Sequence, residues 1–219
     1  MNRSDLAYDR YTTNGNEEWL LRIGPADAPA LLVLPPLFEE LNRLRATIVA
    51  TMRLLAERGW RCLLPDLPAT GESIRPLETL TWADWRRAAA DCAPSDLRAT
   101  IAFRGGALLD DAVAVGCAWR LSPVSGASLV RDLERTALTD DSATGGYSPS
   151  EALRTDLMAA IPAVPPRLRT LRLSTDPAPA DCRIEATPFW RRAEPQTSSE
   201  LTDILASDID TWARACAAC

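Results

Sequence analysis

Apolar residues in this chain gather in short runs, separated by stretches in which they recur every three or four positions. That pattern predicts strands exchanging with amphipathic helices. Residues 18–23 (Glu-Trp-Leu-Leu-Arg-Ile) read as an early strand closed by Gly24-Pro25. Ala30–Leu34 is uninterruptedly apolar and ends at Pro35-Pro36, as expected of a strand buried on both faces. From Asn42 to Arg58, Leu44, Ile48, Met52 and Leu55 share one face, Arg43, Arg53 and Glu57 lie elsewhere, and Gly59 follows; this is a helix. The reading continues with a strand over Trp60–Leu64, a helix around Trp82–Cys92, a strand over Leu97–Phe103, a short helix over Ala107–Val113 and a strand over Val115–Leu121. Two helices follow, Ser125–Thr139 with Ser125 as N-cap and Ser148–Ile161, joined by a flexible loop at Asp140–Gly146. Strands at Arg167–Ser174 and Cys182–Ala186 and a helix at Ser198–Ala215 close the chain. The alternation requires a mostly parallel sheet covered on both faces, built as one domain over residues 1–219.

Composition changes this picture mainly through what is missing. The 219 residues contain no histidine, and all 24 basic side chains are arginine. That removes Ser-His-Asp, Cys-His and Ser-Lys mechanisms, Schiff-base lysines, the P-loop lysine and histidine metal sites. Chemistry is left to Ser, Thr, Cys, Tyr, Asp, Glu and Arg. A net charge of −6 argues against nucleic-acid binding, which needs clustered positive charge. The longest apolar run is far too short to span a bilayer, and no secretory pattern opens the chain, so a cytoplasmic protein is expected. Cys62, Cys92, Cys117 and Cys182 sit singly in apolar stretches, as small buried hydrophobes do. The terminal Cys216-Ala217-Ala218-Cys219 has the spacing of a redox or metal pair, or of a prenylation signal. No second CxxC or histidine completes a zinc site, so incidental cysteines on a closing helix are the plainer reading, and no metal or cofactor is expected.

In an open parallel sheet, ligands gather at the carboxyl ends of the strands. Three such ends carry informative residues: Pro35 to Asn42, Pro65 to Ser73, and Ala102-Phe103-Arg104-Gly105-Gly106, a sharp strand-to-helix turn. Taken with Trp82/Trp85, Ser122-Pro123-Val124-Ser125-Gly126 and Pro188-Phe189-Trp190, their order resembles an α/β-hydrolase, and is most similar to the bacterial exosortase A system-associated hydrolase 2 family. The resemblance runs over roughly residues 30–215 and rests on order and spacing together. It implies an α/β-hydrolase-like three-layer sandwich, with the helices at about 125–161 as a small cap. Counted onto the hydrolase elbow G-x-S-x-G, Ala102 and Gly106 are the small flanks and Arg104 holds the place of the serine. The resemblance implies that arginine is typical of this branch. The family's histidine before its Pro-Phe turn is Pro35 here, its first elbow glycine is Ala102, and the segment between Ser174 and Cys182 is shortened.

An arginine at such a turn admits two readings. With the amide groups of Gly105 and the start of the following helix, Arg104 makes a site for a carboxylate, phosphate or sulfate. Alternatively Glu39 or Glu40, from the neighbouring strand's end, pairs with it internally, as a buried arginine requires. Asn42 and Trp190 join the candidate ligand-binding set, Trp190 either as a lid over the core or as an aromatic wall. Candidates for acid–base work are Glu39, Glu40, Asp66 and Asp176, of which Asp66 and Asp176 also suit turn-capping. Glu72 could converge with the first three; Ser73 and Ser122 would need a carboxylate as base. Trp82 and Trp85 share a helix face and are expected to pack on the sheet.

Three functional classes follow. The leading one is a hydrolase-fold protein without the Ser-His pair, binding a small anionic or acyl ligand or a protein partner; the resemblance implies a setting in bacterial exopolysaccharide production and exosortase-linked sorting. The second is an ester or thioester hydrolase with water activated by Glu39, Glu40 or Asp66 and Arg104 stabilising developing charge. The third is an interaction protein, with a homodimer through a sheet edge as one form.

Overall fold

The computed structural model describes residues 6–139, 147–192 and 197–217. The expected loop at Asp140–Gly146 and the last cysteine, Cys219, lie outside these residues. Eight strands form one sheet: β1 (Leu6–Thr13), β2 (Asn16–Ile23), β3 (Ala30–Leu34), β4 (Arg61–Pro65), β5 (Leu97–Phe103), β6 (Cys117–Leu121), β7 (Arg167–Leu173) and β8 (Cys182–Ile184). Their order is β1-β2-β4-β3-β5-β6-β7-β8, antiparallel at β1/β2 and β2/β4 and parallel from β4 to β8. Five helices cover it: α1 (Glu39–Glu57), α2 (Trp82–Asp91), α3 (Gly126–Thr139), α4 (Glu151–Ala159) and α5 (Ser199–Ala217). Among the described residues no helix is long and apolar enough to cross a membrane.

The continuous apolar strands are the reason the sheet has two packed faces. In β3, Leu31 and Val33 point into one core with Leu44, Ile48, Met52 and Leu55 of α1 and Leu205 and Ile209 of α5. Ala30, Leu32 and Leu34 point into the other, with Trp85 and Ala88 of α2, Leu129 of α3 and Leu153 and Leu157 of α4. This is the three-layer arrangement, with α3 and α4 packed together after β6. Trp85 is buried as its helix spacing requires, and Trp82 meets its edge with ring centroids 6.2 Å apart.

Three differences from the sequence reading have physical causes. The strand β1 goes unpredicted because it is an edge whose side chains are mostly exposed; Asn14 and Gly15, both at positive φ, turn it back onto β2. Helix α1 starts at Glu39 rather than Asn42, since its first turn carries two acidic side chains suited to the positive end of the helix. The expected short helix at Ala107–Val113 is instead two 3-10 turns, Arg104–Leu108 and Asp110–Ala112. The Gly-Gly pair weakens helix formation, and the Asp110 carboxylate is drawn to Arg120 at 2.7 and 2.8 Å inside the core. A turn this short offers no helix dipole to an anion.

The order of strands reverses at β3: α1 leads one way to β4, and α2 leads back across to β5 on the other side. Such a switch leaves a crevice beyond the carboxyl ends of β3 and β5.

One polar group in the frame is unusually placed. Glu18 of β2 is buried, with one carboxylate oxygen lacking a hydrogen-bond partner. Burial pushes its carboxyl above the usual range; Ser73 and Arg75 pull the other way, and Asp66 adds to the rise. The folded chain therefore holds this proton more tightly than the unfolded chain. The stability it contributes is complete below the ordinary glutamate value, about 4.3, and is lost as pH rises through the raised one. Glu18→Gln is expected to be at least as stable as the native chain at neutral pH, and to lose Glu18's share of the pH dependence just above pH 4. Urea denaturation across that window measures both; a neutral-pH loss in the variant would contradict the account.

Candidate functional site

Arg104 follows β5 directly and adopts φ +53°, the left-handed conformation that a strand-to-helix elbow imposes and that ordinarily favours glycine. Gly106, two residues on, has no room for a side chain: a Cβ there would lie 2.4 Å from the Leu34 carbonyl oxygen and 2.6 Å from that of Pro35. The turn is thus pressed against the end of β3, and Arg104 is aimed across the crevice toward the start of α1.

There its guanidinium meets Glu40. Nε donates to both carboxylate oxygens at 3.1 and 3.2 Å, and Nη2 donates to Oε1 at 2.9 Å. Nη1 donates to the Ser122 carbonyl at the end of β6, 2.9 Å away. The cation also lies 4.2 Å from the centre of the Trp190 ring, a cation–π contact. The side chain of Arg104 is only 8% exposed and that of Glu40 16%, so this is a buried pair held on three sides. Burial pushes the Glu40 carboxyl above its ordinary value, outweighing the pull of Arg104; Asp132 adds to the rise and Arg191 opposes it. Ser122 itself has φ +43° and a buried hydroxyl oxygen with no hydrogen-bond partner.

The structure disperses the other candidates. Glu39 is half-exposed and pairs with Arg43 at 3.4 Å, one turn along the same helix. Asp66 accepts from Arg45 (3.0 Å) and from the Glu72 amide (3.0 Å), closing its own turn around Gly71, where a Cβ would strike the Asp66 carboxyl. Asp176 accepts from Arg172 (2.7 Å) and from the Ala178 amide (3.0 Å); despite partial burial, these two hold its carboxyl below the usual range. Each acid thus has its own arginine, and among the described residues no three metal-ligating side chains come together. Ser73 accepts from the Ala69 amide at 2.9 Å, inside the Asp66 turn. Gly105 is buried; a Cβ on it would meet Leu129 at 2.8 Å and Leu37 at 3.2 Å, so apolar side chains pack directly against this residue. Asn42 lies on the other side of α1's start, its amide 3.4 Å from the Tyr147 hydroxyl.

Above the Arg104–Glu40 pair is a cavity of about 310 Å³. Its apolar walls are Leu37, Phe38, Leu129, Leu133 and Trp190; its charged rim sets three carboxylates, Glu39, Glu40 and Asp132, beside three guanidinium groups, Arg43, Arg135 and Arg191. Trp190 is therefore wall and lid at once: it lines the cavity, covers Arg104, and its carbonyl accepts from Arg43 at 3.3 Å. The sequence reading missed Arg43, Arg191 and the two leucines of α3. Arg43 carries a readable signal, since it stands three residues after Glu40 and four after Glu39 on one helix. Arg191 and α3 reach the site only through tertiary packing.

Neither the known family models nor the curated proteins include a match to this chain. Solved structures do. The chain is similar to alpha/beta hydrolase domain-containing protein 10 from mouse (14% identity, TM-score 0.63, covering 94% of this chain and 97% of that one). It is similar also to Est1E from Butyrivibrio proteoclasticus (12%, 0.61, 97% and 99%) and to a putative hydrolase from Agrobacterium vitis S4 (15%, 0.59, 96% and 99%). The fold is that of the α/β-hydrolases, and at these identities the likeness speaks of the fold alone.

Removing one partner of a buried ion pair typically costs about 3–5 kcal/mol. Glu40→Ala should lower unfolding stability by that order, whereas the double variant Arg104→Met/Glu40→Met should recover most of the loss. Denaturant titration of the three proteins tests this; a Glu40→Ala cost below about 1 kcal/mol, the scale of an exposed pair, would remove the pair from its central place.

Proposed function

We propose that this chain binds a small anionic or acyl-bearing ligand over a hydrolase-like elbow that carries no nucleophile. One observation carries the reading: the residue at the serine's place is Arg104, and its guanidinium is already committed to Glu40, the Ser122 carbonyl and Trp190. With no histidine in the chain to serve as base, and no free hydroxyl at the turn, the elbow has nothing to attack an ester with. What stays available is the cavity above it. Arg43 and Arg191 at its rim suit a carboxylate or phosphate, and Leu37, Leu129, Leu133 and Trp190 suit an apolar body. In this reading the anion contact lies at the rim rather than at Arg104, one of the two places the sequence left open for it. The motif order read from the sequence, which resembles the exosortase A system-associated hydrolase 2 family, is the only support for a setting in bacterial exopolysaccharide production, an association with no bearing on the chemistry.

The rival is a hydrolase in which a carboxylate activates water. Glu40 is the acid best placed for it, since burial raises its carboxyl toward the range of a working base. Two measurements separate the readings. Thermal unfolding against carboxylates, phosphates, acyl-CoAs and sugar nucleotides should show stabilisation by one anion class, as a ligand that binds only the native state must give. A hundredfold excess over Kd corresponds to roughly 2.7 kcal/mol, and the shift should fall in Arg191→Ala. Ester and thioester turnover should not exceed the buffer rate. Turnover abolished by Glu40→Gln would overturn the binding reading in favour of catalysis; no shift with any anion would overturn it in favour of a scaffold.

A further inference from the structure

Phe38 has a backbone that suits glycine and a side chain that is among the largest available. Its φ of +59° and ψ of −139° lie in a region almost reserved for residues without a Cβ. A glycine would make the turn from β3 into α1 at lower cost, so the turn itself does not account for a phenylalanine. The ring's position does. It is buried, with its centroid 5.5 Å from that of Trp85 and 5.6 Å from that of Tyr147. It lines the cavity above the Arg104–Glu40 pair, and also a second cavity of about 280 Å³. That second cavity is walled by Leu41, Leu77, Trp85 and Tyr147, with Asn42 and Thr70 as polar groups. The charged rim belongs wholly to the first cavity, and the second holds no charged side chain.

We infer that Phe38 is a partition that sets the length of the ligand's apolar tail, and that the ligand is a straight-chain acyl carboxylate. This inference rests on the binding reading above. The carboxylate sits at the Arg43–Arg191 rim, the first methylenes lie along Leu37, Leu129 and Leu133, and the chain stops at the Phe38 ring. Behind the ring is aromatic space of nearly the same volume, into which a longer tail passes only when the ring is gone. The strained backbone fixes where the ring stands, which is what a length-setting wall requires.

The experiment is calorimetric titration with saturated carboxylates of about six to sixteen carbons. Each methylene buried adds ~0.8 kcal/mol, about fourfold in affinity. In the native chain that gain should run to a limiting length and then stop. In Phe38→Gly, whose backbone fits the turn and which should therefore fold, the gain should continue for several more carbons. Leu77→Trp added to Phe38→Gly refills the second cavity and should restore the native limit. An unchanged limit in Phe38→Gly, or a gain that survives Leu77→Trp, overturns the partition while leaving the binding reading intact. A native chain that binds no carboxylate of any length overturns both.

Discussion

A buried cation placed at a tight strand-to-helix turn has to be answered from within the fold, and the ends of β5 and β6 and the start of α1 meet that demand. Arg104 cannot move away: its backbone is fixed by the elbow, and the elbow is fixed by the absence of a side chain at Gly106, against the Leu34 and Pro35 carbonyls. Nor can it reach bulk water, because Trp190 covers its face. An unpaired charge there would cost several kcal/mol, a sizeable fraction of a domain's net stability. Glu40 supplies the counter-charge from the first turn of α1, and Ser122 supplies a carbonyl from the end of β6. Three chain segments that meet at the switch between β3 and β5 are thereby tied to one guanidinium.

That commitment decides what the site can do. Arginine presents donors in a fixed fork, and a fork satisfied by a carboxylate on one edge and a carbonyl on another has little left for a ligand. The same residue that displaces a nucleophile from the elbow is thus not the one that recruits an anion. Leu37 and Leu129 pack against Gly105 at the turn itself. In the binding reading proposed above, an anion contact would fall to Arg43 and Arg191, which border a cavity with apolar walls together with the carboxylates Glu39, Glu40 and Asp132.

Much of this was legible in the chain. The apolar run Ala30–Leu34 and the face made by Leu44, Ile48, Met52 and Leu55 gave the two-sided sheet, because burial on both faces leaves no polar alternation to misread. An internal pairing of Arg104 with Glu39 or Glu40 was one of the two readings that charge and topology left open, and Glu39 could not be separated from Glu40 without knowing where α1 begins. The hairpin β1/β2 was readable in Asn14-Gly15, a strong turn signal, but the edge strand before it shows too few buried positions for its periodicity to stand out. The helix after the elbow was over-read: local apolar spacing favoured it, and the ion pair between Asp110 and Arg120, invisible in sequence, prevents it. The cavity's far wall on α3 and the rim residue Arg191 depend on packing between segments some 60 to 150 positions from α1, and no local pattern encodes that.

Strain is distributed in the same way as function. Phe38, Arg104 and Ser122 follow β3, β5 and β6, and all three hold positive φ without being glycine. Each such residue costs of the order of 1–3 kcal/mol, so together they weigh against a net stability of the usual 5–15 kcal/mol. Arg104 offsets its share through Glu40, and Phe38 through its rings, each by the side chain that a glycine would lack. Relief of strain, about 1–3 kcal/mol, and loss of the contact therefore oppose one another in a glycine substitution; at Arg104 the loss of the ion pair, about 3–5 kcal/mol, is the larger. If Phe38 is the partition proposed above, a wall held in this way is already ordered before any ligand arrives, and little further ordering accompanies binding. Catalysis at an elbow needs a reactive group held in a strained turn; here the same strained turns hold an arginine already answered by a carboxylate and an aromatic ring packed between two others.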